Sequence, residues 1–195
     1  FFFLMSNCWH SYNAMPFINQ GTKASEYPKD SDDNLSGDTD LNIVSLRQLR
    51  SKSGPTGYVL ELLISQSEGV LPELSEFHFI KSNDRFGISG TLQHYFLDIY
   101  PDCKLQRTTI RSKIDSDKKL CRALNITSEM LQMKHFWHTL ADDVMCTPKE
   151  LYEDLKAMGY DWDVLLATRG WWTINNDKHP IPFLSTMDLL RMRKG

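Results

Sequence analysis

The sequence predicts an α+β chain in which a mainly antiparallel β region is followed by a helical bundle. Apolar and β-branched runs separated by turn-forming clusters occupy residues 43–110. Beyond residue 110, apolar residues recur three or four positions apart, the spacing that lines one face of a helix. A chain of 195 residues can form two small domains. We therefore expect a β-rich domain over residues 1–110 and a helical domain over residues 112–195.

The β region begins after a polar segment. Residues 21–42 are dense in Ser, Asp, Lys, Asn and Gly, a composition that favours a long surface loop over a packed core. Three runs after it, residues 57–65, 73–81 and 91–99, are predicted to be strands. In the second run Phe77 and Phe79 alternate with polar neighbours, as in a half-buried strand. Whether residues 1–42 belong to the β domain is left open.

Capping signals divide the helical region. Ser116 or Asp117 is expected to begin a helix through Leu124, and Thr127 to begin the next. A stronger start is the Thr-Pro-Lys-Glu sequence at residues 147–150, with a capping Thr and Pro in the first helical turn. That helix should end at Gly159.

Two further helices complete the prediction. Asp161 or Asp163 is the expected cap of the first of them. The last should follow Pro182 and run through Met192. Because residue 1 is not methionine, we expect the sequence to be a fragment of a longer protein.

Three blocks in the helical region, Lys119–Leu124, Trp137–Ala141 and Leu165–Trp171, resemble a death domain. Ile110–Ile114 before the first block makes the resemblance closest to the death domain of netrin repulsion receptors. In that family a β-rich UPA domain comes directly before the death domain, and residues 56–79 resemble its strand, turn and strand. The resemblance implies a six-helix bundle over residues 112–195, with these core residues: Leu120, Leu124, Trp137, Leu140, Leu165, Leu166 and Trp171.

The same resemblance implies a non-enzymatic protein–protein interaction module in signal transduction and apoptosis. Its expected setting is cytoplasmic, as the intracellular part of a membrane receptor, and it needs no cofactor. Expected partners are other death-domain or signalling proteins, including a second copy of the chain. Other chains with UPA domains, such as ankyrins and death-adaptor proteins, remain alternatives.

Charged residues of the helical region are unevenly distributed. An acidic group and a basic group on one small bundle could dock head to tail, since complementary fields select partners. The predicted partner-binding residues are Asp142, Asp143, Glu150, Glu153, Asp154, Lys118, Lys119, Arg122, Arg191 and Arg193.

An enzyme is the alternative. Asn7-Cys8-Trp9 resembles the sequence around the nucleophile of papain-like proteases, and Gly170–Asp177 resembles the strand that carries their orienting acid. A thiolate nucleophile requires a histidine base. The position expected for that base, before Gly170, carries Tyr160, Asp161 and Trp162 instead.

Other functions have weaker signals. Cys121, His135, His138 and Cys146 could ligate zinc, but no Cys-x-x-Cys pair supports a structural site, so we predict no metal. A net charge of -3 does not indicate nucleic-acid binding. No apolar run reaches the length of a membrane-spanning helix.

Overall fold

A computed structural model describes residues 7–30, 32, 35–52, 56–91, 94–136, 144–171, 178 and 180–195. Among them, seven strands in two antiparallel sheets are interspersed with six helices. The chain divides into two compact units, one comprising residues 1–79 and 107–112 and the other residues 80–106 and 113–195. In chain order the elements are β1 (Asn7–Pro16), β2 (Leu41–Ser51), β3 (Val59–Ser65), β4 (Gly69–Val70), α1 (Pro72–Ser82), β5 (Ile88–Gly90), β6 (Tyr95–Leu97), β7 (Tyr100–Leu105), α2 (Ile110–Ser116), α3 (Lys118–Phe136), α4 (Pro148–Ala157), α5 (Trp162–Leu166) and α6 (Thr186–Met192).

The first unit contains a four-stranded sheet in the order β1-β2-β3-β4. β2 and β3 pair without interruption from Leu41↔Ser65 to Arg47↔Val59. The β3 strand confirms the run predicted at residues 57–65. β1, which was not predicted, lies at the edge and shifts register after Cys8. Such bulges twist an edge strand away from continued pairing.

An aromatic core lies in the first unit. The side chains of Tyr27, Leu41, Leu63 and Phe77 are completely buried. The rings of Tyr27 and Phe77 meet edge to face, with centroids 5.7 Å apart. Where they are described, residues 21–40 of the predicted surface loop contain no named strand or helix and are mostly exposed, but the buried ring of Tyr27 anchors this polar segment in the core.

A buried guanidinium joins distant parts of the first unit. The Arg111 side chain, 5% exposed, donates to Glu68 at 2.5 Å and to Asp40 at 3.2 Å. Burial opposes ionisation of Asp40, but hydrogen bonds from Ser65, Ser67 and Arg111 outweigh it and lower its pKa to about 2. The segment after β7 is thus tied to the start of β2.

Residues 72–82 form helix α1, so the strand predicted over residues 73–81 is wrong. Leu74, Phe77 and Ile80 are all buried at three-residue spacing, which places them on one helical face. The strand prediction relied on the alternation of Phe77 and Phe79 with polar neighbours, but Phe79 is only partly buried.

The second unit begins with the three-stranded sheet β5-β6-β7. The strand predicted over residues 91–99 is shorter than expected, since β6 covers only Tyr95–Leu97. The turn between β6 and β7 lies at residues 98–99, and Pro101 and Asp102 lie within β7. The indole of Trp162 on α5 is 7% exposed and donates to the Ile99 carbonyl at 2.6 Å.

The six-helix death-domain bundle is not found, so the predicted fold class is wrong. Where two helices were expected, a single 19-residue helix, α3, is present. Thr127, expected to cap the second of them, lies inside α3, and its hydroxyl donates to the Ala123 carbonyl at 2.8 Å. A Thr hydroxyl can be satisfied within a helix in this way as well as at a cap. α2, α5 and α6 have only seven, five and seven residues.

Local capping predictions fare better. Thr147 caps α4 in a complete capping box with Glu150, and Pro148 lies in the first turn. Gly159 follows the helix with a left-handed φ of 88°. Asp161 caps α5, and Asp117 accepts from the backbone at the start of α3. These helix starts are confirmed.

Candidate interaction surface

Two short segments of the second unit pair beside each other. Arg169 and Phe183 form a parallel β-bridge. The Arg169 amide donates to the Pro182 carbonyl at 2.9 Å, and the Leu184 amide donates back to the Arg169 carbonyl at 3.0 Å. The Arg169 side chain is also held, because its Nε donates to the Ile181 carbonyl at 3.2 Å.

This pairing displays aromatic groups to solvent. The rings of Trp171 and Phe183 meet edge to face with centroids 4.7 Å apart. The Arg169 guanidinium carbon lies 5.3 Å from the centroid of the Phe183 ring, within range of a cation–π contact. Trp171 is 70% exposed, Phe183 41% and Ile181 38%. We call Arg169, Trp171, Ile181 and Phe183 the aromatic surface.

Beneath the aromatic surface, a buried polar pair fixes the backbone at Gly170. Arg122 is 5% exposed, and its Nη1 donates to Asn125 Oδ1 at 2.6 Å. Its Nη2 donates to the Leu184 carbonyl, next to the bridge. A Cβ at residue 170 would lie 2.5 Å from both Arg122 Nη1 and Asn125 Oδ1. Only glycine therefore fits at residue 170, where the backbone packs against the hydrogen-bonded Arg122 and Asn125 side chains.

The composition of the aromatic surface is that of a binding hot spot. Trp and Arg are enriched among residues that dominate binding energy, and aromatic residues are enriched at interface cores. Contiguous exposed apolar groups in a folded chain often mark binding sites. The arrangement can contribute to binding through burial of aromatic area and through one guanidinium, for which no acidic partner exists in the described part of the chain.

The predicted acidic residues of α4 already have intrachain contacts. Glu150 accepts from the Thr147 amide at 2.7 Å in the capping box. Glu153 lies 3.9 Å from the Lys149 ammonium, and both are exposed. Asp154 accepts from Arg193 at 2.6 Å, and this hydrogen bond raises the pKa of Arg193. Asp142 and Asp143 lie outside the described residues.

The predicted basic residues have diverse environments. Lys118 and Arg191 are exposed. Lys119 lies 2.6 Å from Asp163, whose hydrogen bond raises the pKa of the lysine. Arg122 is buried, so its guanidinium is not available at the surface.

Only some of the predicted core residues are found to be buried. Leu120, Leu124, Leu165 and Leu166 are buried. Trp171, in contrast, is largely exposed, although the preceding residue, Gly170, lies against the buried Arg122 side chain. Trp137 and Leu140 lie outside the described residues.

The alternative sites gain no support from the described residues. Cys8 lies on edge strand β1, and no described histidine is hydrogen-bonded to it. Of the segment resembling the orienting-acid strand, only Gly170 and Trp171 are described. His138, one of the four possible zinc ligands, lies outside the described residues. Among the described residues, no group of three or more His, Cys, Asp or Glu side chains could hold a metal ion.

None of the four residues of the aromatic surface was predicted to bind a partner: Trp171 was predicted to lie in the core, and Arg169, Ile181 and Phe183 were given no site role. The available signal was the pair of prolines around Ile181, which favours extended backbone. Nothing in the sequence indicates that this segment pairs with Arg169.

Comparison with known proteins finds no family model, no curated protein and no solved structure that matches the chain. In the described part of the chain, no helix combines the length and apolar character needed to cross a bilayer.

Proposed function

We propose that the chain is a non-enzymatic protein–protein interaction module that binds a partner protein through the aromatic surface. The observation that carries the proposal is the exposed contact between Trp171 and Phe183 beside the Arg169 guanidinium. The proposal does not depend on a death-domain bundle, which the structure lacks.

The surface indicates the chemistry of the partner. Trp171, Phe183 and Ile181 favour an apolar or aromatic side chain, because its burial would remove their exposed area from water. Arg169 favours a neighbouring carboxylate, since a guanidinium makes strong hydrogen bonds to that group. An apolar anchor flanked by an acidic residue is the expected element of the partner.

A signalling role inside the cell, as part of a receptor, belongs to the same proposal. None of the four cysteines, all of which are described, forms a disulfide. Free thiols are typical of reducing compartments, which supports this placement. The acidic residues of α4 and the exposed Lys118 and Arg191 would then influence association rate more than affinity.

Site-specific photo-crosslinking tests the proposal. A benzophenone amino acid at Ile181, at the margin of the surface, should form one discrete crosslinked species in cells, and mass spectrometry would identify the attached protein. The same probe at Val164, 61% exposed on α5, is the matched control. Adding Phe183→Ser should abolish the species formed from position 181. Equal crosslinking from positions 181 and 164, or crosslinking from position 181 that Phe183→Ser leaves unchanged, would contradict the proposal.

A further inference from the structure

The second unit has a small cavity between α3 and α6. Its volume is about 200 Å³. That is more than one water molecule needs, about 10–15 Å³, and less than the about 300–1,000 Å³ of sites for drug-sized ligands. Its lining includes Glu129, Gln132 and Met133 from α3, Thr186 and Met187 from α6, and Trp171.

A carboxylate in this lining has no counter-ion. Glu129 is 7% exposed, and its one side-chain hydrogen bond in the described part of the chain comes from the Thr186 hydroxyl. No described Lys or Arg lies within ion-pair distance of it. Burying an ionised carboxylate is costly unless a charge or several hydrogen bonds compensate. A single hydroxyl leaves hydrogen-bonding capacity on the carboxylate for a donor from outside the chain.

The remaining lining residues suit an organic cation. Met133 and Met187 present polarizable thioethers, and Trp171 presents the aromatic group that attracts cations most strongly. The Gln132 side-chain oxygen can accept one of the three hydrogen bonds that an ammonium group can donate. The cavity therefore combines an apolar wall with one negative charge.

We infer that this cavity binds a small free amine, a primary ammonium group on a short apolar body. In this arrangement the ammonium contacts Glu129 and the apolar body lies against Met133 and Met187. The inference does not rest on the proposed protein-binding function, since the ammonium contacts Glu129, which lies outside the aromatic surface.

Benzylammonium is the probe, and benzyl alcohol is its neutral isostere. Binding can be followed in the whole chain by NMR of methyl-¹³C-labelled methionine, because the Met133 and Met187 methyl groups line the cavity. Benzylammonium should shift these two resonances with a Kd on the order of 1 mM, as expected for a ligand of this size. Benzyl alcohol should bind at least tenfold more weakly. This comparison uses the unaltered chain, so it holds even if a variant fails to fold.

Glu129→Gln should weaken benzylammonium binding at least tenfold and leave benzyl alcohol binding unchanged. Glu153→Gln, which removes an exposed carboxylate from α4, is the matched control and should change neither. Capped lysine carries the same ammonium on a longer body whose polar amide groups the apolar wall of the cavity cannot pair, so it should bind at least tenfold more weakly. The inference would be overturned if benzyl alcohol or capped lysine bound as tightly as benzylammonium. It would also be overturned if benzylammonium shifted neither methionine methyl resonance.

Discussion

Replacing Gly170 with alanine should destabilise the second unit, because the added methyl group meets two buried polar atoms. The new Cβ would lie 2.5 Å from Arg122 Nη1 and from Asn125 Oδ1. These two atoms are hydrogen-bonded to each other at 2.6 Å, so neither can move without weakening that bond. The φ of Gly170 lies outside the left-handed region, so the expected cost is steric and not conformational.

The magnitude follows from three contributions. Weakening a hydrogen bond to a charged group costs about 1.5–3 kcal/mol, and overpacking a closed site costs about 1–3 kcal/mol. The reduced entropy of the unfolded chain returns about 0.4–1 kcal/mol. Because the first two contributions overlap, we expect a net loss of about 2–3 kcal/mol in the free energy of unfolding.

Urea unfolding followed by circular dichroism measures this loss, provided that the m-value is unchanged. Gly159→Ala is the comparison, because its φ is 88° and nothing lies within 4 Å of its Cβ position. It should cost about 1 kcal/mol through backbone strain alone. Asn125→Ala combined with Gly170→Ala should be less destabilising than the sum of the two changes. A loss below about 0.5 kcal/mol for Gly170→Ala, or strict additivity, would refute the reasoning.

Four further changes test other contacts, each by its effect on the free energy of unfolding. Thr147→Ala should cost about 1 kcal/mol in urea unfolding, because it removes the α4 cap; no loss would contradict the capping box. Arg111→Met should cost about 2 kcal/mol, since it removes the charged donor shared by Asp40 and Glu68 and leaves Glu68 with Lys29 alone, and a neutral result would contradict the ion cluster. The lowered pKa of Asp40, about 2, should contribute about 1 kcal/mol after allowance for solvent screening. This contribution is present above the unfolded pKa of about 4 and is lost as pH falls towards 2, so Asp40→Asn should flatten the stability profile between these values. Trp162→Phe should cost about 2 kcal/mol by leaving the Ile99 carbonyl without its buried donor, and thermal unfolding unchanged from the wild type would exclude that bond.

Local signals in the sequence predicted local structure. The α4 capping box depends on residues 147–150 alone, and the structure contains it. The β3 strand likewise follows from one apolar run. Such features need no knowledge of distant parts of the chain.

Features that depend on distant contacts were missed. The two phenylalanines near residue 78 fit both a strand and a helix, and burial of Leu74, Phe77 and Ile80 selects the helix. Likewise, Tyr27 became a core residue only through packing against Phe77.

The aromatic surface could not be predicted for the same reason. Trp171 was expected in a core because it ends a block that resembles a death-domain helix. The residue before it, Gly170, lies against Arg122, which is 48 positions earlier in the chain, and no local signal indicates that contact. The pairing of Arg169 with Phe183 is also a tertiary contact.

The affinity of the crosslinked partner tests the central claim most directly. Isothermal titration calorimetry should compare the unaltered chain with Phe183→Ala and with Val164→Ala, two exposed apolar truncations in the same unit. The aromatic surface predicts that Phe183→Ala raises Kd about 30-fold, equivalent to about 2 kcal/mol, whereas Val164→Ala changes it less than about twofold. Equal effects of the two substitutions, or an unchanged Kd for Phe183→Ala in a folded variant, would contradict the claim.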